Sequence, residues 1–82
     1  MLILPIKKRL AQYIELKHIT KQFEKQKRLF ETNPFHPSLH TEILKPKHFR
    51  IYSFRITKKY RALFVYCGSD TIEIADINDH YK

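Results

Sequence analysis

Apolar positions change period halfway along this chain. Ile6, Leu10, Tyr13 and Ile14 fall on one helical face with Lys7, Lys8 and Arg9 beside it, which predicts a first helix after a short opening strand, Met1 to Pro5. The pattern breaks at Lys17 and His18. Thr20 is a suitable cap for a second helix whose inward stripe is Phe23, Leu29 and Phe30, and Asn33-Pro34 ends it. A Pro-containing loop, NPFHPSLH, then leads to a short edge-strand candidate at Glu42 to Leu44. From there the period is two. Tyr52, Phe54 and Ile56 alternate with Ser53 and Arg55, Tyr60 to Cys67 is apolar on both faces, and Thr71 to Ile77 closes the set. The expected architecture is α+β, with two N-terminal helices packed on one face of a small, mainly antiparallel sheet.

Loop lengths fix a register. If Thr57, Lys58 and Lys59 form a hairpin loop, Ile56 pairs with Tyr60, Arg55 with Arg61 and Phe54 with Ala62. Tyr52, Phe54, Ile56, Tyr60, Ala62 and Phe64 then share the helix-covered face, while Ser53, Arg55 and Arg61 share an open one. Glycine is favoured at the left-handed position of such a loop, and Lys59 is a poor substitute. A second loop, Gly68-Ser69-Asp70, returns Ile72 and Ile74 to the covered face. The last strand then runs back toward Arg61, bringing His80 and Tyr81 with it. Two arginines directly opposite one another destabilise a sheet unless an anion or carboxylate lies between them, so an anion site is expected there. Taken singly, Arg55 and Arg61 also fit solvated strand positions, His80 a frayed end and Tyr81 an aromatic plug.

Eighty-two residues make one domain, 1–82, with one modest core. Sixteen Lys and Arg against eight acids give a net charge of +8, which favours nucleic acid, an anionic surface or an acidic protein as partner. The lysines at 7, 8, 17, 21, 25 and 27 fit the solvated side of the helices. Cys67 is alone and sits on an apolar strand, which suits packing better than catalysis. The five histidines have no metal-ligand spacing, so neither metal nor cofactor is expected. No apolar run approaches the roughly 20 residues of a membrane span, and Met1 to Ile6 lacks the features of a signal peptide, so a cytoplasmic location is expected.

At NPFHPSLHTEILKP, IYSFRITKKYRALF and DTIEIADINDHYK the chain resembles the RelE/ParE superfamily of bacterial toxins, and its YoeB branch most closely. The resemblance implies a toxin of a type II toxin-antitoxin system, a ribosome-dependent endoribonuclease that cuts messenger RNA and is silenced by an acidic antitoxin. It also implies roles for residues at matching positions. Glu42 stands where the general base does, Arg61 at the transition-state arginine, His80 at the general acid and Tyr81 at its aromatic neighbour. Arg55 matches a further basic position, and Lys45, Lys58 and Lys59 join it as expected phosphate contacts. Tyr52 replaces a frequent tryptophan, Asn78 a basic residue, and Lys82 extends past the usual terminal tyrosine. Expected partners are the antitoxin, the ribosome with its message, and a second copy of the chain. Two other readings share the fold: a ParE-like DNA gyrase inhibitor without nuclease activity, and a non-catalytic RNA-binding regulator.

Overall fold

The computed structural model describes residues 1–80. β1 (Leu2–Ile3) precedes helices α1 (Lys8–Leu16) and α2 (Thr20–Thr32). A single 3-10 turn at Pro37–Leu39 leads to β2 (Glu42–Ile43), and another at Lys47–Phe49 leads to the meander β3 (Tyr52–Arg55), β4 (Arg61–Tyr66) and β5 (Thr71–Asn78). The sheet order is β1-β5-β4-β3-β2, antiparallel throughout except for β1, which runs parallel to β5. This is the α+β arrangement expected from the change of period.

The helices end where the sequence pattern breaks, by an identifiable device. After α1 the His18 N–H donates to the Glu15 carbonyl and the Ile19 N–H to that of Ile14, while His18 is left-handed at φ 59°. This is a Schellman closure with histidine where glycine is usual, and the buried Ile14 and Ile19 are its apolar contact. Ile19, not Thr20, is the cap position of α2. Its side chain makes no capping hydrogen bond, and Thr20 is the first helical residue.

Leu10 and Ile14 from α1, with Phe23 and Phe30 from α2, meet Phe54, Phe64, Ile72, Ile74 and Ile77 of the sheet. Phe30 touches both Phe54 and Phe64, each with ring centroids 5.1 Å apart. Each such ring contributes about 1.5–3 kcal/mol on burial, so the core rests on a few aromatic side chains.

The register is the one the loop lengths require. Arg55 pairs with Arg61 and Phe54 with Ala62, and the Ile56 N–H donates to the Tyr60 carbonyl at 2.9 Å. Lys59 is not strained in this hairpin, because the non-glycine residues with positive φ among those described are His18, His40 and Arg50. The Thr57 hydroxyl organises the loop by accepting from the Lys59 and Tyr60 N–H groups at 3.1 and 3.0 Å. β5 departs from strict alternation. Phe64 pairs with Ile74 but Leu63 with Asp76, so Ala75 is the extra residue of a bulge. The bulge lets Ile77 reach the core after Ile74, and it sets Asn78 opposite Arg61.

Candidate active site

Alternation along β3 and β4 places Ser53, Arg55, Arg61 and Leu63 on the sheet face away from the helices, and the pairing of Glu42 with Ser53 adds Glu42 to it. That face is not open at Arg61, contrary to the expectation from alternation. Ser53 is 0% and Arg61 7% exposed. The residues leading into β2 account for much of this. Leu39 is buried in the core, His40 takes a left-handed turn, and its carbonyl accepts from Arg61 Nη2 at 2.7 Å. Arg61 Nε donates to Ser53 Oγ at 3.0 Å. Two segments, β3 and the turn before β2, therefore converge on one guanidinium.

Glu42 Oε1 lies 4.0 Å from Arg61 Nη2, at the outer limit of an ion pair, and its side chain is 43% exposed. Burial pushes the Arg61 guanidinium below its ordinary pKa. Glu42 opposes that shift, and Arg55 across the strand adds to it. An arginine remains charged at neutral pH nonetheless. The paired arginines thus have the carboxylate that their repulsion calls for, and the pocket keeps a positive excess that suits a phosphate.

Arg55 is half-buried, and its main chain is held from the helix layer. Gln26 Nε2 donates to the Arg55 carbonyl at 2.9 Å and is 3.2 Å from that of Ser38. Gln26 was not among the expected inward residues, although it lies between Phe23 and Phe30 on the same stripe, at spacings of three and four. Its buried amide ties α2, the turn before β2 and the end of β3 together.

The remaining expected residues spread along the sheet. Lys45 lines a cavity of about 400 Å³ with Glu42, Ile43 and Leu44. Lys58 and Lys59 are exposed at the β3–β4 hairpin, and Lys59 Nζ lies 3.9 Å from Asp79 and 5.5 Å from the Tyr60 ring centre. His80 follows Asn78, the partner of Arg61, by two residues. Its side chain is 87% exposed, with Nε2 3.8 Å from Asp79 Oδ1, and its N–H donates to Asn78 Oδ1 at 3.2 Å. It also borders a cavity of about 270 Å³ against α1, shared with Arg9, Tyr13 and Asp76. Tyr81 lies outside the described residues. The structure therefore joins Glu42, Ser53, Arg55 and Arg61 in one cluster and sets His80 at its margin, turned toward Asp79. Among the described residues no three His, Cys, Asp or Glu side chains gather as a metal site requires. No helix among them is long and apolar enough to cross a membrane.

No protein-family model matches the chain, nor does any curated protein. Solved structures do. A YoeB/ParE toxin from Agrobacterium tumefaciens superposes with a TM-score of 0.72 at 20% identity, over 99% of this chain and 100% of that one. The YoeB-YefM complex from Staphylococcus aureus gives 0.70 at 22% identity, over 99% of both chains. The resemblance read from the residues thus holds in three dimensions, and the chain has the fold of the YoeB/ParE toxins.

Proposed function

We propose that this protein is the toxin of a toxin-antitoxin pair and acts as an endoribonuclease on ribosome-bound messenger RNA. The observation that carries the reading is the Glu42 carboxylate 4.0 Å from the buried Arg61 guanidinium, with Arg55 directly across the strand. RNA carries its own nucleophile, so cleavage needs three acts: removal of the 2′-hydroxyl proton, stabilisation of charge on the phosphate, and protonation of the departing 5′-oxygen. Glu42 takes the first role. Arg61 supplies the second from a fixed position, since its Nε and one Nη2 proton are committed to Ser53 and His40 and hold the fork in place. Arg55 adds to that charge, with Lys45, Lys58 and Lys59 toward the ends of the cluster as phosphate contacts. His80 supplies the third after turning from Asp79 toward the leaving oxygen, and Tyr81 stacks on a base beside the cut. The 2′-oxygen bonds to phosphorus as the P–O5′ bond breaks, giving a 2′,3′-cyclic phosphate and a 5′-hydroxyl.

The antitoxin reading draws support from the Staphylococcus aureus neighbour, itself a complex with YefM, and from the charge of +8, which calls for an acidic partner. The site of action, on the message within the cytoplasm, follows from the same reading.

Mapping of 3′ ends on translating message tests it. The wild type is expected to leave cyclic phosphates at defined positions, and Glu42→Ala and His80→Ala to slow their formation by about 100-fold or more. One observation favours a second reading, a ParE-like inhibitor of DNA gyrase: the His80 ring faces Asp79 and the α1 cavity. Intact message together with blocked supercoiling would establish that alternative.

A further inference from the structure

At the other end of the same strands, Phe49, Arg50, Tyr52, Val65 and Tyr66 line a second cavity of about 400 Å³. Phe49 is 62% and Tyr66 37% exposed, which is unusual for rings of this size on a protein with so small a core. The cluster is built rather than loose. Tyr52 stacks on the buried Phe64 with centroids 5.6 Å apart and 21° between planes, and Tyr66 meets the Tyr52 edge at 5.1 Å and 88°. Phe49 lies against His48 at 4.4 Å. Lys47 and Arg50 flank it in sequence with positive charge, and Arg50 is held in a left-handed turn at φ 55°. Glu73, opposite Val65 in the register, is the acid beside this group.

We propose that this cluster is a base-stacking subsite for single-stranded RNA, which extends the path of the strand beyond the cleavage cluster. Exposed ring faces interleaved with cations are what an unpaired nucleotide chain uses, because every base has a π-face and every linkage a charge. By the register Val65 lies on the sheet face of Leu63 and Arg61, whereas Tyr52 and Tyr66 lie on the opposite face with Phe64, so the cavity they line sits at the end of β3 and β4, where the two faces meet. Tyr52 precedes Arg55 by three residues on β3, a separation of roughly 10 Å along the strand. A short run of nucleotides that rounds the end of β3 and β4 spans that distance, with its phosphate at the arginines and its next bases on Phe49 and Tyr66. Glu73 can accept from a base amino group there. The proposal rests on the reading of the chain as an RNA-cleaving toxin.

The test is binding of the full-length protein to a fluorescein-labelled oligoadenylate RNA of about ten nucleotides, with an abasic strand of equal charge and poly-L-glutamate as comparison probes. Phe49→Ala is expected to weaken oligoadenylate binding by roughly 5- to 150-fold, the range of one base–aromatic stack, and to leave the abasic strand unaffected. Arg50→Ala is expected to weaken both strands and to reduce the salt slope by about 0.7. Both side chains are exposed, so thermal melts of the variants should match the wild type. Equal oligoadenylate binding by Phe49→Ala and wild type overturns the subsite, as does equal loss on the abasic strand. A Phe49→Ala loss confined to poly-L-glutamate overturns it in favour of an acidic protein partner. Cleavage of translating message by the wild type, run in parallel, separates the two failures. If message is cut while Phe49→Ala binds normally, the subsite alone is wrong; if message stays intact, the nuclease reading falls.

Discussion

Arg61 and His80 hang from the same end of the sheet, yet they are held in opposite ways. The Arg61 side chain is 8% exposed and the His80 side chain 87%. Arg61 is gripped by a hydroxyl from β3 and a carbonyl from the turn before β2, eight and 21 residues away in sequence. His80 touches its own neighbours, Asp79 and Asn78. The charge-stabilising half of the proposed site is therefore built into the fold, whereas the proton-donating half sits two residues past the last ladder pair. Preorganised charge is the costly part of phosphoryl chemistry, since dipoles that must reorient during reaction contribute less. A proton donor tolerates a looser tether because it acts at one atom.

The largest expected effect tests the built half. Arg61→Ala should slow cleavage by about 100-fold or more, and it should also cost roughly 1–3 kcal/mol of stability by leaving the Ser53 hydroxyl and His40 carbonyl without their donor. Arg61→Lys keeps the charge but loses the fork, so it should resemble Arg61→Ala far more than the wild type in single-turnover cleavage. Arg55→Ala, on the same face but half-exposed, should lose less. If Arg61→Lys retained most of the activity, geometry would matter less than charge and the contrast with His80 would collapse.

A smaller effect should come from Gln26, which touches no proposed substrate atom. Gln26→Leu fills the volume but leaves the Arg55 and Ser38 carbonyls without their amide donor, at a cost of about 1–3 kcal/mol. Urea denaturation measures that loss. If Gln26 positions the site, cleavage per folded molecule should also fall, and Gln26→Glu should rescue neither property, because a carboxylate cannot donate to the two carbonyls. An unchanged cleavage rate in a destabilised Gln26→Leu would confine the residue to packing.

Much of the fold was legible because alternation and loop length constrain each other. With Thr57 to Lys59 as the loop, a single register keeps Phe54, Ile56, Tyr60 and Ala62 together, and that register sets Arg55 opposite Arg61. Four features escaped this logic. Arg61 is buried by residues before β2 whose path carries no period. The placement of Glu42 depends on a strand of two residues, Glu42–Ile43, paired through an irregular connection closed by the Leu44 N–H on the Ile51 carbonyl. The bulge at Ala75 left a trace that could have been read: Ile72 and Ile74 are followed by Ile77, an apolar residue on the wrong parity for a regular strand. Gln26 likewise stood on an apolar stripe, where a polar residue points to a buried hydrogen bond.

The smallest expected effect concerns the strand that carries His80. Burial alone would raise the pKa of Asp76, but the Asn78 amide, the Ile77 N–H and the Arg9 guanidinium outweigh it and hold the carboxyl below its ordinary value. The amide donates at 2.9 Å and Arg9 lies at 3.5 Å. A carboxylate whose pKa is depressed by folding contributes stability that is fully present above its unfolded value of about 3.9 and is lost as pH falls through the folded value. With its side chain 44% exposed, the contribution belongs in the ~0–1 kcal/mol range of solvent-screened pairs. Asp76→Asn should therefore lower stability slightly at neutral pH and flatten the decline of stability below about pH 4. Denaturant midpoints of the two proteins at pH 3 and pH 7 measure both changes. Parallel curves would mean that Asp76 does not secure the bulge through its charge. The register that brings Asn78, and His80 behind it, to Arg61 would then depend on Ile77 in the core alone.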